Sequence, residues 1–351
     1  MPAGAFRWPL VPLGAPRYVA AMSDDPEPHA NVPFATLSPD TVIEAIEAAG
    51  FLCDGRVLAL GSYENRVYQV GIEDREPLVV KFYRPGRWTD ASILEEHGFA
   101  LELAAAEIPV IAPLRVGDAS QTLMTHAGFR LAIYPRRGGQ WPELGTPDDR
   151  QWIGRFLGRI HGVGAAGRFE HRPKLSVEAM GRQSVDYLLD GDHIADYIAH
   201  RYELVSGELL DLVEARFEAA GPLRQLRIHG DCHRNNVLWT AAGPHFVDFD
   251  DCMTGPAIQD LWMLLAGSAA EMRVQLADVL EGYSQFATFD PVEIMLIEPL
   301  RALRMIHYAA WLARRWHDPA FPLAFPWFGE VRYWERHVAE LEEQLMTLEQ
   351  M

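Results

Sequence analysis

Residues 228–239 read IHGDCHRNNVLW, a cluster of polar chemistry set between apolar residues. Two readings of it compete. His229, Asp231 and His233 alternate, as metal ligands often do. Asp231 and Asn236 stand five apart, the spacing of an aspartate and an asparagine in one kind of phosphotransfer loop. The flanking sequence decides between them.

Downstream, NVLW, the short turn TAAG and PHFVDFDD read as a β-hairpin that returns to Asp248. Far upstream, LVVKFY (78–83) places Lys81 in an apolar strand, flanked by Val79, Val80 and Phe82. Phosphoryl transfer from ATP needs these residue types. A lysine holds the α- and β-phosphates, and oxygen donors such as asparagine and aspartate hold Mg²⁺. A further aspartate orients the acceptor hydroxyl and takes its proton. The order strand lysine, Asp-x4-Asn loop, hairpin, aspartate supplies all of them. Asp250 and Asp251 are left open, between a share in the site and a solvated strand end.

Around this set the chain divides in two. SPDTVIEAIEAAG (38–50) carries a cap residue, proline at the first helical position and a glycine stop, which predicts a helix. RVLAL, NRVYQV and PLVVKFY read as strands, with the polar turn GSYEN between the first two. Thr89 caps a helix through ILEEHGFALELAAAE, and APLRVG, QTLMTH and FRLAIYP add β signal. From about Asp148 the pattern turns helical. DRQWIGRFLGRIHGVG sets Trp152, Phe156, Leu157 and Ile160 on one face, with His161 expected to pack at the helix end. The long run from Val185 to Ala220 and most of the chain after Asp251 read as helix. The expected class is α+β: a β-rich lobe over 34–136 and a helical lobe over 137–351, with a short link near 134–147. Clefts between lobes are where ligands usually bind.

Bulk composition narrows the partners. The chain has 351 residues, 49% hydrophobic and 23% charged, with a formal net charge of -18. That balance argues against nucleic acid or an anionic membrane as the main partner. No apolar run approaches the roughly 20 residues of a membrane span. Cys53, Cys232 and Cys252 are odd in number and widely spaced, so no disulfide framework is expected and a cytoplasmic location is the default. Cys232 and Cys252 read as buried, inert thiols; the alternative is that oxidation of Cys232 slows catalysis. Pro9, Pro12 and Pro16 break the early apolar run, which excludes a signal peptide and leaves residues 1–33 as a disordered extension, or Met22 as the true start.

HGDCHRNN fits the HGDxHxxN loop of the aminoglycoside-phosphotransferase-like (APH-like) branch of the protein-kinase fold. Together, GSYENRVYQV, VVKFYRP, ILEEH, HGDCHRNN, VDFDD, GPAIQDLWMLL, IEPLRALRM and RRWHDPAFP resemble the stress response kinase A family, in order and over about residues 34–340. That resemblance implies a two-lobed, protein-kinase-like fold and a cytoplasmic serine/threonine protein kinase using ATP and Mg²⁺. The acceptor is then a protein hydroxyl, and a monomer is the family default. It implies Asp231 as the catalytic base or hydroxyl-orienting residue, Asn236 and Asp248 as Mg²⁺ ligands, and Lys81 on the ATP phosphates. Glu96, rather than Glu95, is the expected partner of Lys81. Ser62 lies where the phosphates pass, and Tyr134 lies near the link where adenine meets backbone. Asp260 is expected to brace the catalytic loop. GSYEN departs from the GxGxxG of ordinary protein kinases, so fewer backbone N–H groups are available for phosphate. A small-molecule kinase with the same machinery is the main rival. A phosphatase built on VDFDDCM and a non-catalytic ATP-binding scaffold are weaker ones. Arg314 and Arg315 are candidate attractors of an acidic or phosphorylated substrate.

Overall fold

The computed structural model describes residues 32–117 and 120–351, so the expectations for residues 1–31 lie outside the described residues. Helix α1 (Pro39–Ala48) begins where the sequence predicts. The Ser38 side chain accepts from the Thr41 amide and Pro39 fills the first turn. A five-stranded antiparallel sheet follows, built from β1 (Cys53–Leu60), β2 (Arg66–Ile72), β3 (Arg75–Phe82), β4 (Met124–His126) and β5 (Phe129–Pro135) in the order β1-β2-β3-β5-β4. Between β3 and β4 runs α2 (Asp90–Ala105), capped by Thr89.

Strand alternation gives the sheet two different faces. Leu78, Val80 and Phe82 of β3 pack with Val42 and Ile46 of α1 and with Leu131 and Ile133 of β5 in one apolar cluster. Lys81 and Tyr83 take the other face, where Tyr83 packs with Ile93 of α2 and Ala132 of β5. Lys81 is paired with Ala132 in register, and Val79 with Tyr134. The period of two in LVVKFY therefore aims Lys81 away from α1 and toward α2.

The remainder is mostly helical: α3 (Pro147–Ala165), α4 (Gln183–Asp190), α5 (Asp196–Ala220), then α6 (Ile258–Trp262), α7 (Ala269–Tyr283), α8 (Ile297–Arg314), α9 (Ala320–Ala324) and α10 (Val331–Glu349). Two short antiparallel ladders interrupt it. One pairs β6 (Leu226–Ile228) with β9 (Met253–Gly255), and the other pairs β7 (Val237–Thr240) with β8 (Gly243–Phe246). The first ladder brings the end of β6, where IHGDCHRNN begins, beside the end of VDFDD. The second is the predicted hairpin, closed at Thr240 and Gly243. These four strands fix the site, because both polar loops hang from their ends.

Several elements are shorter than the sequence pattern suggests. APLRVG forms only a single bridge at Val116, and QTLMTH is strand only over its last three residues. The helical run from Val185 breaks at Gly191, where the backbone turns extended. In α3 the buried row is Ile153, Leu157, Ile160 and His161, one residue round from the expected face. Gly154 and Gly158 explain the offset. A Cβ there would lie 2.1 Å from the Val279 carbonyl and 2.6 Å from that of Tyr283, so α7 packs directly on backbone.

Candidate active site

The structure brings Lys81, Glu96, Asp248 and Asp250 together. Lys81 Nζ lies 3.3 Å from Glu96 Oε1, 3.5 Å from Asp248 Oδ1 and 2.9 Å from Asp250 Oδ1. Glu96 and Asp250 are buried with it, while the Asp248 side chain is 55% exposed. Glu95 turns elsewhere and accepts from the amides of Glu170, His171 and Arg172 at 2.7–2.8 Å. Successive glutamates on α2 thus serve different lobes. One lysine cannot neutralise three carboxylates. Burial pushes Glu96 up to about 7 against the pull of Lys81, whereas Lys81 and Arg87 hold Asp250 below the usual carboxylate range in spite of its burial.

Asp250 emerges as the tie of the site. Besides Lys81 it takes the Asn65 side-chain amide at 3.2 Å and the Arg87 guanidinium, whose other nitrogen reaches Asp251. It is buried, so it is not a solvated strand end: it links the GSYEN turn, the strand lysine and the 249–251 turn. Nothing in the sequence marked Asn65 or Arg87, whose partner is more than 160 residues away in the chain. Ser62, at the head of the GSYEN turn, donates to the Asn65 carbonyl at 3.2 Å and so shapes the turn itself. Tyr134 stands on β5, its hydroxyl 3.0 Å from that of Tyr83, which in turn meets His97 Nε2 at 2.7 Å.

The opening stretch makes a second set of contacts. Asp231 Oδ1 accepts from Arg304 Nη1 of α8 at 2.6 Å, and Oδ2 lies 3.3 Å from His233 Nε2. Burial alone would raise the Asp231 carboxyl; Arg304 and His233 outweigh it and hold it well below the usual carboxylate range. His233 Nδ1 accepts from the Asn235 amide at 3.2 Å, which leaves Nε2 as the protonated nitrogen facing Asp231. His229 is fully buried and bonds the Val247 carbonyl through Nε2 at 2.9 Å, its ring against Phe249. Both histidines are therefore spent on holding loops. Among the described residues no group of three or more His, Cys, Asp or Glu is placed to hold a metal ion.

The oxygen donors fit a harder cation shared with phosphate. Asn236 Nδ2 donates to the Asp231 carbonyl at 3.0 Å, so its Oδ1 is turned the other way and is left to accept a cation. Asp248 sits at φ 60°, ψ 65°, a left-handed conformation that non-glycine residues seldom adopt. That turn buries Phe249 against Phe99 and His229 and leaves the Asp248 carboxylate in the cleft. An amide oxygen and a carboxylate are the hard donors that suit Mg²⁺, which keeps waters and phosphate oxygens as its remaining ligands.

Beneath both loops lies Asp260. Its Oδ2 accepts from the His229 amide at 2.8 Å and pairs with His161 Nε2 at 3.0 Å; its Oδ1 accepts from the Gly230 amide at 2.8 Å. His161 also reaches the Tyr283 hydroxyl at 3.0 Å, so it is a member of this network rather than a helix-end packing residue. Gly230 is required at its place: φ is 83° and a Cβ would lie 2.2 Å from the Asp251 carbonyl.

The cysteines carry no chemistry here. Cys232 and Cys252 have no exposed surface, and burial pushes both thiols up, away from the reactive thiolate. In the native protein a disulfide-exchange reagent is expected to leave both unlabelled and to react with Cys53 alone, slowly. All three should react after unfolding. Rapid native labelling of Cys232 would restore the redox alternative.

Comparison with known proteins identifies the family. Residues 56–297 match the model of the phosphotransferase enzyme family. Stress response kinase A of Escherichia coli (strain K12) is 45% identical over 317 residues, covering 90% of this chain and 95% of the relative. The chain belongs to the stress response kinase A family. Serine/threonine protein kinase RdoA of Salmonella typhimurium is 44% identical over 323 residues, covering 90% of this chain and 94% of that one. Among solved structures, the amicoumacin kinase hAmiN in complex with AMP-PNP, Ca²⁺ and Ami aligns at a TM-score of 0.66 and 17% identity, over 87% of this chain and 93% of that one. A microcompartment-associated aminopropanol kinase aligns at 0.66 and 18%, over 88% and 98%. These two share the fold, a protein-kinase-like, APH-like architecture with a small sheet-rich part and a helical remainder. Membership makes the chain a kinase of the phosphotransferase class.

Proposed function

We propose that this kinase transfers the γ-phosphoryl group of ATP, with Mg²⁺, to serine or threonine hydroxyls of protein, as a monomer in the cytoplasm. Residues 34–136 form the nucleotide lobe and residues 137–351 the acceptor lobe. The observation that carries the reading is that Lys81 meets both Glu96 and Asp248, while Asn236, which meets Asp231, accepts through its backbone carbonyl from the amide of Val247, the residue before Asp248, at 3.0 Å. The protein acceptor rests on relatives at about 45% identity, one of which is named a serine/threonine protein kinase.

In this reading Lys81, fixed by Glu96, holds the α- and β-phosphates, and the Ser62 turn covers them. Tyr134 closes the sheet side of the cleft next to the adenine position. Asn236 Oδ1 and the Asp248 carboxylate hold Mg²⁺, which, when bound, neutralises charge on the β- and γ-phosphoryl oxygens. Asp231 points the acceptor hydroxyl at phosphorus. Its low basicity, set by Arg304 and His233, makes it an orienting acceptor that receives the proton late, as the new P–O bond forms. That timing suits a loose transition state, where the nucleophile need not be stripped first. Positioning and charge neutralisation supply most of the rate.

Radiolabel transfer from γ-labelled ATP to the protein itself, to casein and to myelin basic protein tests the reading. Label that needs Mg²⁺ and Asp231 supports it. ATP binding with no labelled protein, and labelling of small alcohols instead, would move the assignment to a small-molecule kinase. Asp248→Ala is expected to weaken Mg–ATP binding by about tenfold or more, while metal-free nucleotide binds as before. Calorimetric titration with and without Mg²⁺ separates the two. Equal weakening in both conditions would remove Asp248 from the metal.

A further inference from the structure

From Arg304 to Arg315, α8 and its cap residue expose a single stripe. Arg304, His307, Tyr308, Trp311, Arg314 and Arg315 are partly accessible, and every residue between them is buried. The stripe contains no carboxylate, in a chain whose net charge is -18. It runs from the catalytic loop to the phosphate turn. Arg304 meets Asp231 at one end, and Trp311 Nε1 donates to Glu64 Oε2 at 2.8 Å further along. Arg315 is committed to the same Glu64. Arg314 is different. It reaches the Gln183 carbonyl at 3.3 Å and lies over the Tyr187 ring at 4.9 Å, and among the described residues no carboxylate pairs with it. A half-buried guanidinium with no counter-ion is costly unless a ligand supplies one. His307, between Arg304 and Arg314, has Ser184 Oγ at 3.4 Å from Nδ1. Burial and four guanidinium groups (Arg314, Arg304, Arg315 and Arg87) push it down to about 4, so the local potential is positive.

We propose that this stripe is the acceptor groove and that Arg314 is its subsite for an anionic side chain, so the kinase selects Ser or Thr near an acidic or already phosphorylated residue. The proposal deepens the protein-kinase reading and rests on it for the polypeptide part. Geometry sets the register. Arg304 marks where the hydroxyl meets Asp231, and Arg314 lies ten residues on along α8. At 1.5 Å per residue that is about 15 Å. An extended peptide covers this distance in about four or five residues. The preferred acidic group therefore lies four or five positions from the phosphorylated one.

The test uses fluorescent peptides with alanine at the acceptor position, bound to the full chain with Mg²⁺ and AMP-PNP and read by anisotropy. One set carries glutamate, one phosphoserine and one glutamine at each neighbouring position, and a fourth carries lysine. Matched serine peptides report transfer. The glutamate and phosphoserine peptides are expected to bind about tenfold tighter than the glutamine peptide at the four- or five-residue position. Arg314→Gln should erase that preference and leave the KM for ATP and transfer to the neutral peptide unchanged; Arg314→Lys should keep most of it. Carboxylate and phosphate arms tell which source of charge is read. Equal binding of neutral and acidic peptides, a preference for lysine, or a preference that survives Arg314→Gln overturns the subsite. Selective binding without any transfer to the serine peptides instead overturns the protein-kinase reading and leaves the anionic subsite standing.

Discussion

Asp231→Ala will lose phosphoryl transfer by about 10³-fold or more, near the upper part of the range for a residue that handles the reacting proton, yet will bind Mg–ATP about as well as the parent. The reason is where Asp231 stands. Its carboxylate faces Arg304 and His233 and meets the proposed metal ligand Asn236 only at 3.5 Å, whereas the Asp231 backbone carbonyl, which the change leaves in place, holds that side chain at 3.0 Å. Lys81, Glu96 and Asp248 form their own contact set, which the change leaves in place. Removing the carboxylate leaves Arg304 facing the acceptor position without its partner, so Asp231→Asn is the better-matched control: it keeps the shape and one acceptor oxygen but cannot take a proton. Both variants should be inactive, with nucleotide affinity within about twofold of the parent. The outcome that sinks this assignment is loss of Mg–ATP binding equal to that of Asp248→Ala. A variant that retains a tenth or more of the parent rate would also sink it.

Much of this site was legible from sequence because its members sit in short, locally determined settings. Strand alternation in LVVKFY aims Lys81 to the side away from α1 whatever the rest of the chain does. HGDxHxxN and the hairpin after it are contiguous, so Asp231, Asn236 and Asp248 reach one place through two tight ladders. The choice of Glu96 over Glu95 came with the family resemblance and not from the local pattern. What sequence could not show are contacts that close over long separations. Arg304 on Asp231, Arg87 on Asp250 and Asn65 on Asp250 join segments 73, 163 and 185 residues apart. Arginines of that kind look like solvated surface until the lobes meet. His161 was misread for a related reason: helical periodicity showed an inward residue but not the carboxylate waiting for it. The shorter strands and helices also have a physical cause. In APLRVG only Pro113 and Val116 are buried, and a short apolar run of that kind does not by itself choose between strand, helix and irregular chain.

Asp260→Ala is the substitution expected to cost the most stability. The carboxylate has no exposed surface and takes two backbone amides and one imidazole. Its removal leaves the amides of His229 and Gly230 and the Nε2 of His161 buried without acceptors. Each unmet donor costs about 1–3 kcal/mol, and breaking a buried charged network by deleting one member typically costs about 3–5 kcal/mol in total. A folded chain of this size cannot ignore that, since net stabilities run only to about 5–15 kcal/mol. Asp260→Asn will rescue little, because its NH₂ group must face one of the same donors. The loss should appear as a lower denaturant midpoint with the slope unchanged. Catalysis should fall further than folding does, because His229 and Gly230 carry Asp231 on the next residue. A double variant with His161→Phe gives the decisive comparison. It removes one orphaned donor along with the acceptor, so its cost should be smaller than the sum of the two single changes. Strict additivity would mean that Asp260 and His161 do not act as one brace, and a near-parental midpoint for Asp260→Ala would mean that the catalytic loop is held from elsewhere.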